Sequence, residues 1–354
     1  MALLSYIIWS TDPNMIPGWD VPRWYGFLFA LGFILSQQVM FYVFKKEGRD
    51  VKEVETLTMY MVVAVVVGAR LGHCLFYDPV YYLSNPHKIL FIWEGGLASH
   101  GGAIGILTAL WYFARKMKGM TYMWMLDRIV IVVCLTGACI RTGNFMNSEI
   151  LGTKTNAFTG IVFAQNIKQG MMRSNNQIED VKFRTNTQAE EAPVGLEPMT
   201  AVIEFKQNTG DGGLNVDRLK GAFLRNPYYS DHLTFVDGEL NYRTYQSQGV
   251  SYGELDFYGI ARHPAQLYEA FYCLLLFFLL AHIWYWHRDR LPEGFNFALF
   301  LITLWSLRFV DEFFKVVQEP WEEGLPLNMG QMLSIPLVIA GIVIMIRVLR
   351  KKSA

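Results

Sequence analysis

A dense polar run follows a long apolar stretch of this 354-residue chain. The stretch from Trp124 to Ile140 has Asp127 and Arg128 as its charged residues, and Arg-Thr-Gly-Asn-Phe-Met-Asn-Ser-Glu follows directly at 141–149. Charged and amide side chains are costly at the edge of a hydrocarbon layer, so they mark a functional site there. Arginine grips phosphate oxygens through a planar fork of donors. The run therefore predicts a membrane-embedded site for an anion such as phosphate.

Other apolar segments carry polar side chains at the same predicted depth. These are Tyr25, Arg70, His73, His100, Arg262, Gln266, Glu269, Arg308, Glu312 and Gln331. Each has an ordinary structural explanation when taken singly. An arginine near a helix end snorkels to the headgroups, Glu312 can pair with Arg308 four residues earlier, and His100 precedes glycines that allow close helix contact. The coincidence of several arginines, a histidine and glutamates at one depth favours an anion site, because the positive charge exceeds what mutual pairing needs.

Composition indicates a membrane protein. The chain is 52% hydrophobic and 18% charged, with a mean hydropathy of +0.21, whereas soluble domains carry about 25% charged residues. The formal net charge of zero argues against a nucleic-acid partner. The four cysteines lie in apolar stretches and are expected to be buried thiols. The N-terminus lacks a basic region before its first apolar run, so no cleavable signal peptide is expected.

Seven segments approach the length of about 20 apolar residues that crosses a bilayer. They are 23–44, 57–76, 97–115, 122–140, 264–286, 294–310 and 330–348. Basic clusters follow every second junction, at 45–52, 115–118, 288–290 and 347–352. Cytoplasmic loops carry such an excess of lysine and arginine. We therefore expect the N-terminus outside, the C-terminus in the cytoplasm and the polar site toward the outer face.

The predicted fold is an all-α polytopic membrane protein of about seven transmembrane helices, with a periplasmic α/β or mostly β head inserted between helices four and five. Residues 1–152 would hold helices one to four, 153–262 the head, and 263–354 helices five to seven. Within the head, alternation over 233–245 with Asp237-Gly238 at its centre predicts a hairpin. Residues 201–205 predict a strand, and the weak periodicity of 166–195 predicts a mobile loop or a partly disordered segment.

Seven motifs follow one another along the spans. They are Trp24-Tyr-Gly26, Gly68-Ala-Arg-Leu-Gly72, Gly95-Gly-Leu-Ala-Ser-His100-Gly-Gly, Arg141-Thr-Gly-Asn-Phe-Met-Asn-Ser-Glu-Ile-Leu-Gly152, Arg262-His-Pro-Ala-Gln-Leu-Tyr-Glu269, Leu307-Arg-Phe-Val-Asp-Glu312 and Met329-Gly-Gln-Met-Leu-Ser-Ile-Pro336. In order and spacing they resemble the bacterial prolipoprotein diacylglyceryl transferase family. The resemblance covers nearly all spans, while the outer segment at about 160–255 is longer than the family pattern.

The resemblance implies a reaction in the bacterial inner (cytoplasmic) membrane. A diacylglyceryl group would pass from phosphatidylglycerol to the lipobox cysteine of a preprolipoprotein signal peptide, forming a thioether and releasing glycerol-1-phosphate. Both partners lie in the lipid bilayer, which suits a site at membrane depth. The reaction needs no metal or diffusible cofactor, and the spacing of His73, His100 and His263 fixes no tetrahedral metal site.

Roles for the polar residues follow from that chemistry. Arg141 and Arg308 would stabilise charge on the departing phosphate, with Glu149 and Glu312 orienting them. His100 would accept the thiol proton; alternatively, arginine charge lowers the thiol pKa directly and no dedicated base is needed. The candidate catalytic residues are thus Arg141, Arg308, His100, Glu149 and Glu312. The candidate substrate-binding residues are Tyr25, Asn144, Asn147, Gly152, Arg262, Arg70 and Gln266.

Two other function classes compete with a membrane enzyme. A transporter or lipid flippase would also bury arginines and glutamates. However, it would need polar groups in the inner halves of the helices, and such folds often carry inverted repeats, which this sequence does not display. A membrane assembly factor would use the outer segment to bind partners but would leave the polar cluster without a purpose.

Overall fold

The computed structural model describes residues 5–353 apart from short gaps. The gaps are 17, 20, 93–94, 97, 188–191, 208–215, 217–218, 220–222, 224–225, 236–240, 318–321 and 323. The chain divides into two compact units. The first unit holds residues 1–28, 140–270 and 310–329, and the second unit holds 29–139, 271–309 and 330–354. Each unit has its own apolar core.

Seven of the described helices coincide with the predicted spans. The described helices are α1 (Trp24–Lys46), α2 (Lys52–Phe76), α3 (Pro79–Ser84), α4 (Ser99–Lys116), α5 (Tyr122–Met146), α6 (Ala164–Ser174), α7 (Pro227–Ser230), α8 (Ala265–His287), α9 (Phe295–Asp311) and α10 (Met329–Ser353). Five of them, α1, α2, α5, α8 and α10, are long and apolar enough to cross a membrane. Helices α4 and α9 coincide with the two other predicted spans but have 18 and 17 residues. The fold is therefore a polytopic membrane protein, and the count of seven crossings stays a prediction.

Helices α2 and α4 of the second unit meet through glycines. A Cβ on Gly68 would lie 2.5 Å from the carbonyl oxygen of Gly101, and a Cβ on Gly101 would lie 2.3 Å from that of Gly68. Gly72 and Gly105 repeat the contact one turn away on either helix. Small residues four apart let two membrane helices bring their backbones together. Gly68 and Gly72 of α2, with Gly101 and Gly105 of α4, thus set the crossing of these helices.

Substituting one glycine of this crossing is expected to destabilise the second unit. Gly101→Ala inserts a methyl group against backbone atoms, and such overpacking costs about 1–3 kcal/mol. Gly102→Ala is the matched control, because its Cβ would meet its nearest neighbours at 3.7 and 3.8 Å and alanine favours a helix by up to about 1 kcal/mol over glycine. Thermal unfolding in detergent should show a lower midpoint for Gly101→Ala alone. Equal midpoints would contradict the close crossing.

The two charges inside the apolar stretch of α5 are structural. Arg128 donates to both carboxylate oxygens of Glu47 at 3.0 Å, and the indole nitrogen of Trp284 donates to the same carboxylate at 2.5 Å. Asp127 accepts from the backbone nitrogens of Gly294 and Phe297 at 2.6 and 2.8 Å, at the start of α9. A carboxylate favours a helix N-terminus, whose first backbone N–H groups have no partner in the helix. These contacts hold the helices of the second unit together at the ends with basic loops.

A five-stranded antiparallel sheet and helix α6 form most of the described head segment. The strands are β1 (Ile7–Trp9), β2 (Ile161–Phe163), β3 (Ile178–Thr185), β4 (Leu196–Phe205), β5 (Leu233–Thr234), β6 (Asn241–Ser247) and β7 (Val250–Ile260). Strands β1 and β2 pair with each other in a separate sheet. The antiparallel sheet has the strand order β3-β4-β7-β5, and β6 also pairs with β7. Apolar side chains from β3, β4 and β7 form one core with α6. The described part of residues 153–262 is therefore α/β.

One prediction for the head was wrong, and a second falls on residues that the structure does not describe. Residues 166–195 were expected to be a loop but contain α6 and β3, whose buried side chains join the head core. The hairpin was expected to turn at 237–238, which lies outside the described residues. Instead, β6 pairs with β7 through a turn at Gln248 and Gly249, whose φ angles of 51° and 79° suit a tight hairpin. The strand predicted at 201–205 is confirmed as the end of β4.

The N-terminal segment belongs to the first unit. Strand β1 pairs in parallel with β2, with Ile8 opposite Val162. The buried carboxylate of Glu197 accepts from the Ser5 hydroxyl at 2.7 Å and from the backbone nitrogen of Tyr6 at 2.8 Å. Residues before the first long helix are thus hydrogen-bonded to the segment that follows α5.

Candidate active site

A tight reversal of the chain follows α5. The helix ends at Met146, and the backbone nitrogen of Glu149 donates back to the carbonyl of Asn144 at 2.9 Å. Ser148 and Ile150 have positive φ angles of 55° and 54°, a region that non-glycine residues adopt rarely and that clusters at functional sites. The reversal returns the Glu149 side chain to the last turn of α5.

Two amides hold the carboxylate of Glu149. Asn144 Nδ2 donates to Oε2 at 2.9 Å, and Asn147 Nδ2 donates to Oε1 at 3.0 Å. Arg141 Nη1 donates to Asn144 Oδ1 at 3.4 Å. The amide of Asn144 therefore links the arginine to the glutamate. The four polar residues of the signature run form one connected network.

Tyr25 reaches the same network from α1. A Cβ on Gly143 would lie 3.1 Å from the Cα and 3.2 Å from a ring carbon of Tyr25. A side chain at 143 would thus push Tyr25 away. The Tyr25 hydroxyl interacts electrostatically with Glu149 and Arg141. Glycine at 143 therefore has a packing reason, and Tyr25 lies beside the predicted site residues.

The start of α8 closes the network on another side. Gln266 is buried, with 1% of its surface exposed, and its Nε2 donates to the carbonyl of Glu149. Glu269 is also buried, and its Oε2 lies 2.5 Å from Nε of Arg141. Opposite charges this close attract strongly where water is scarce. Glu269 and Asn144 thus lie against Nε and Nη1 of Arg141.

A buried lysine lies on the far side of Glu269. Lys315 Nζ is 3.2 Å from Glu269 Oε1, 3.0 Å from Asp311 Oδ2 and 3.0 Å from Glu312 Oε1. Its side chain is 2% exposed. Asn328 Nδ2 donates to Glu312 Oε2 at 3.3 Å. The predicted residue Glu312 therefore belongs to a carboxylate cluster that surrounds Lys315.

Arg262 and Gly152 make close contacts with the backbone that follows the reversal. Arg262 Nη1 donates to the carbonyl of Gly152 at 2.9 Å, and Nη2 donates to that of Asp231 at 2.6 Å. A Cβ on Gly152 would lie 2.2 Å from the carbonyl oxygen of His263. Burial, with the charge of Arg262, lowers the pKa of His232 to about 4. His232 is therefore neutral near pH 7, and the buried guanidinium does not face a second cation there.

Arg70 lies in the second unit, where its guanidinium binds backbone. Its Nη2, Nε and Nη1 donate to the carbonyls of Lys88 at 2.6 Å, Ile89 at 2.9 Å and Gly95 at 2.6 Å. Gly96 has a φ of 74°, and a Cβ there would lie 2.5 Å from the ring of His73. This geometry favours a role for Arg70 in holding the backbone at residues 88–89 and 95–96.

His100 and Arg308 also lie in the second unit. The His100 ring, near the start of α4, stacks on Tyr77 with ring centroids 5.8 Å apart and meets the edge of Phe76 at 5.3 Å. The Arg308 guanidinium, near the end of α9, lies 5.6 Å from the Trp305 ring centroid. Both residues are within the helices in which the sequence predicted them.

Comparisons with known proteins all identify the same family. Residues 16–347 match the model of the family described as prolipoprotein diacylglyceryl transferase. A phosphatidylglycerol–prolipoprotein diacylglyceryl transferase of Tolumonas auensis is 33% identical over 348 residues, covering 98% of this chain and 99% of that protein. Proteins of the same name from Porphyromonas gingivalis and Bacteroides fragilis are 35% and 30% identical, and each alignment covers 99% of this chain and at least 97% of the relative.

The chain belongs to the prolipoprotein diacylglyceryl transferase family. The resemblance seen in the sequence motifs is thereby confirmed. The alignments cover nearly the whole of both chains, so the long head segment has a counterpart in these members of the prolipoprotein diacylglyceryl transferase family. Membership also sets aside the transporter and the assembly factor, since the family is one of membrane transferases.

Sequence reasoning overlooked part of the polar cluster in this transferase. Lys315 and Asp311 were not singled out, and Glu269 was noted only for its depth. A lysine shortly after a helix end resembles an ordinary anchor at the headgroups. A signal was present nonetheless, because Asp311, Glu312 and Lys315 lie four and three residues apart, the spacing that pairs charges on a helical turn.

Proposed function

We propose that this chain transfers a diacylglyceryl group from phosphatidylglycerol to the lipobox cysteine of preprolipoproteins, the first step of bacterial lipoprotein maturation. Glycerol-1-phosphate is the second product. The observation that carries the proposal is the family match over residues 16–347, which includes the whole Arg141 network. That network supplies what the reaction needs, a fixed guanidinium for a phosphate.

The proposed step is a displacement at carbon. The substrate cysteine loses its proton, and the thiolate attacks the glycerol carbon that carries the phosphodiester oxygen. A carbon–sulfur bond forms, the carbon–oxygen bond breaks, and its electron pair leaves on the phosphate oxygen. Negative charge grows on that oxygen, so preorganised cations lower the barrier. Arg141 and Arg308 provide those cations, and His100 takes the thiol proton.

The remaining polar residues orient the reacting groups. Glu269 and Asn144 fix two nitrogens of Arg141, and Glu149 holds Asn144 and Asn147 in turn. Tyr25, Asn147 and Gln266 line the headgroup side. Arg262 and Arg70 donate hydrogen bonds to backbone carbonyls. We therefore assign these two arginines, with Gly152, to positioning the loops that carry the site.

The pairing of β1 with β2 supports four crossings before the head. A hydrogen-bonded strand pair lies on one side of a membrane, so an even number of spans separates β1 from β2. Between them, α1, α2 and α5 are each able to span, and α3 has only six residues. The fourth crossing then falls to α4, whose 18 residues are within the range for a spanning helix.

The same reasoning supports a crossing by α9. Gly152 forms a β-bridge with Lys315, and the backbone nitrogen of Thr153 donates to the carbonyl of Phe314 at 2.8 Å. Gly152, before the head, and Lys315, after α9, thus lie on the same side of the membrane. Helices α8 and α9 lie between the head and Lys315 in the chain. Since α8 is able to span, α9 spans too. Seven crossings then put the N-terminus and head outside the inner membrane and the basic C-terminus in the cytoplasm.

Thiol labelling of intact spheroplasts tests this orientation. A membrane-impermeant maleimide is expected to modify Gln246→Cys, on the exposed strand β6, and to modify Lys45→Cys, at the inner end of α1, only after permeabilisation. Of the native cysteines, Cys74, Cys134 and Cys273 are buried and Cys139 is half-buried, so the background should be low. The opposite pattern would overturn the orientation.

Complementation tests the function itself. In bacteria depleted of their own diacylglyceryl transferase, this chain is expected to restore growth and the mass shift of lipidated lipoproteins. A chain carrying Arg141→Ala serves as the inactive control at matched expression. If the wild-type chain inserts in the membrane and lipoproteins remain unmodified, the proposed function fails.

A further inference from the structure

The reversal after α5 has the hydrogen bonds of a Schellman motif. The backbone nitrogen of Ser148 donates to the carbonyl of Phe145 at 3.0 Å, and that of Glu149 donates to the carbonyl of Asn144 at 2.9 Å. In this motif the residue at the position of Ser148 is usually glycine, because its backbone is left-handed and glycine has no Cβ to clash. Ser148 has a φ angle of 55°. A serine therefore occupies a strained position that glycine would fill without strain.

The hydroxyl of Ser148 adds a second cost at that position. The residue is 4% exposed, and among the residues that the structure describes its Oγ has no hydrogen-bond partner. A buried hydroxyl without a partner destabilises a fold. Strained backbone and unpaired buried polar groups both concentrate at functional sites, where they serve a ligand. Ser148 is thus costly to the fold in two ways, which indicates a task in binding.

Two amide oxygens near Ser148 are in the same situation. Asn147 Nδ2 donates to the carboxylate of Glu149, and Gln266 Nε2 donates to its backbone carbonyl. Carboxylate and carbonyl oxygens only accept hydrogen bonds, so these contacts fix the orientation of both amides. Asn147 Oδ1 and Gln266 Oε1 are then buried without a donor in the described part of the chain. Residues beside Glu149 or in contact with it thus carry two buried acceptors and one hydroxyl that a ligand can satisfy.

These acceptors require a ligand that donates hydrogen bonds. A phosphodiester has acceptor oxygens alone, so the phosphate assigned to Arg141 cannot pair with an amide oxygen. The donors of phosphatidylglycerol are the two hydroxyls of its terminal glycerol, which is bonded directly to the phosphate. Asn144 links Arg141 to the carboxylate of Glu149, and Asn147 contacts the same carboxylate. The acceptors therefore adjoin the phosphate-binding network, as the terminal glycerol adjoins the phosphate.

We propose that Ser148 is a specificity-determining residue whose hydroxyl, with Asn147 Oδ1 and Gln266 Oε1, hydrogen-bonds the terminal glycerol hydroxyls of the lipid. This inference rests on the proposed function, because it names the part of phosphatidylglycerol that the same site recognises. Such a site discriminates against a headgroup without hydroxyls, since its buried polar atoms are then left unpaired. The lipobox peptide also has donors, in its thiol and backbone N–H groups. The connection of the acceptors to the phosphate-binding network favours the headgroup.

The test compares two lipid donors with purified protein in detergent. Phosphatidylpropanol keeps the phosphodiester but lacks both headgroup hydroxyls, and the gain in mass of a lipobox peptide reports transfer from either lipid. Ser148→Ala is expected to lower kcat/KM for phosphatidylglycerol by about tenfold, the usual value of one hydrogen bond. It should change kcat/KM for phosphatidylpropanol by less than about twofold. If phosphatidylpropanol turns over too slowly, its inhibition constant against phosphatidylglycerol replaces kcat/KM and should be equal for both proteins.

Ser148→Gly separates recognition of the lipid from support of the fold. Glycine relieves the left-handed backbone, so the thermal midpoint is expected to rise by about 1–3 °C above wild type, while kcat/KM for phosphatidylglycerol falls as it does for Ser148→Ala. Gln248→Gly is the matched control, because Gln248 has a φ angle of 51° in the exposed turn between β6 and β7. It should gain stability in the same way and keep wild-type activity toward both lipids. A serine that only supports the fold would not give higher stability together with weaker lipid preference.

The possible outcomes distinguish this inference from the proposed function. If wild type transfers nothing, the proposed function fails and this inference falls with it. If wild type is active, the inference alone is overturned by Ser148→Ala activity within about twofold of wild type, by an equal loss toward both lipids, or by lower thermal midpoints for both Ser148 variants. A raised KM for the peptide with unchanged lipid preference would assign the hydroxyl to the peptide and would also overturn it. Should Ser148→Ala fail to fold, Ser148→Gly gives the same comparison of lipids.

Discussion

Replacing Arg141 by lysine is expected to lower kcat for diacylglyceryl transfer by about 100- to 1,000-fold, the usual cost of losing one preorganised donor to developing negative charge. A lysine keeps the positive charge but lacks the planar fork. It could contact either Glu269 or a phosphate, whereas the guanidinium uses Nε for Glu269 and its outer edge for the ligand. The measurement is initial-rate kinetics on protein with a wild-type thermal midpoint.

The matched control is Arg173→Lys, which makes the same change at an exposed residue of α6. It should leave kcat unchanged. Near-normal turnover by folded Arg141→Lys would show that a point charge suffices at 141. The bidentate phosphate contact, and with it the role assigned to the Arg141 network, would then have to be given up.

Replacing His100 by glutamine is expected to lower kcat near neutral pH by about 100-fold or more, which is the usual contribution of a positioned general base. Glutamine keeps polarity at the start of α4 but takes up no proton. If thiol deprotonation limits the rate, raising the pH toward the usual thiol pKa of about 8.5 should restore part of the loss. A pH profile of kcat for both proteins measures this.

His87→Gln is the control for that experiment, because His87 is an exposed histidine of the same unit. Its pH profile should match wild type. Undiminished activity of His100→Gln at neutral pH would remove His100 from the mechanism. It would favour the alternative in which arginine charge alone lowers the pKa of the substrate thiol.

The helical part of the fold was predictable because its signal is local. Each predicted span is a long apolar run, and each coincides with a helix to within a few residues. The crossing of α2 and α4 also had a local signal, since Gly68 and Gly72, and likewise Gly101 and Gly105, are small residues four apart, a spacing typical of close helix contact. The connection of Arg141, Asn144, Asn147 and Glu149 was predictable for the same reason, because all four lie within one short run.

Features that depend on distant partners were not predictable. Nothing near residues 166–174 shows that α6 will pack on a sheet formed later in the chain, so their weak periodicity suggested a loop. The alternation of β6 fits a hairpin with the residues before it or with those after it. Its pairing with β7 is set by the turn at Gln248 and Gly249. Lys315 was not singled out, because its partner Glu269 lies in a different helix.

Release of glycerol-1-phosphate by the purified protein tests the central claim most directly. The protein, in detergent, receives phosphatidylglycerol and a lipobox peptide, and a second reaction contains the same peptide with its cysteine replaced by serine. The account predicts release with the cysteine peptide alone, and a gain in peptide mass equal to one diacylglyceryl group per glycerol phosphate released. Well-folded protein that releases nothing, even with a full-length preprolipoprotein, or that releases it equally with the serine peptide, would contradict the account.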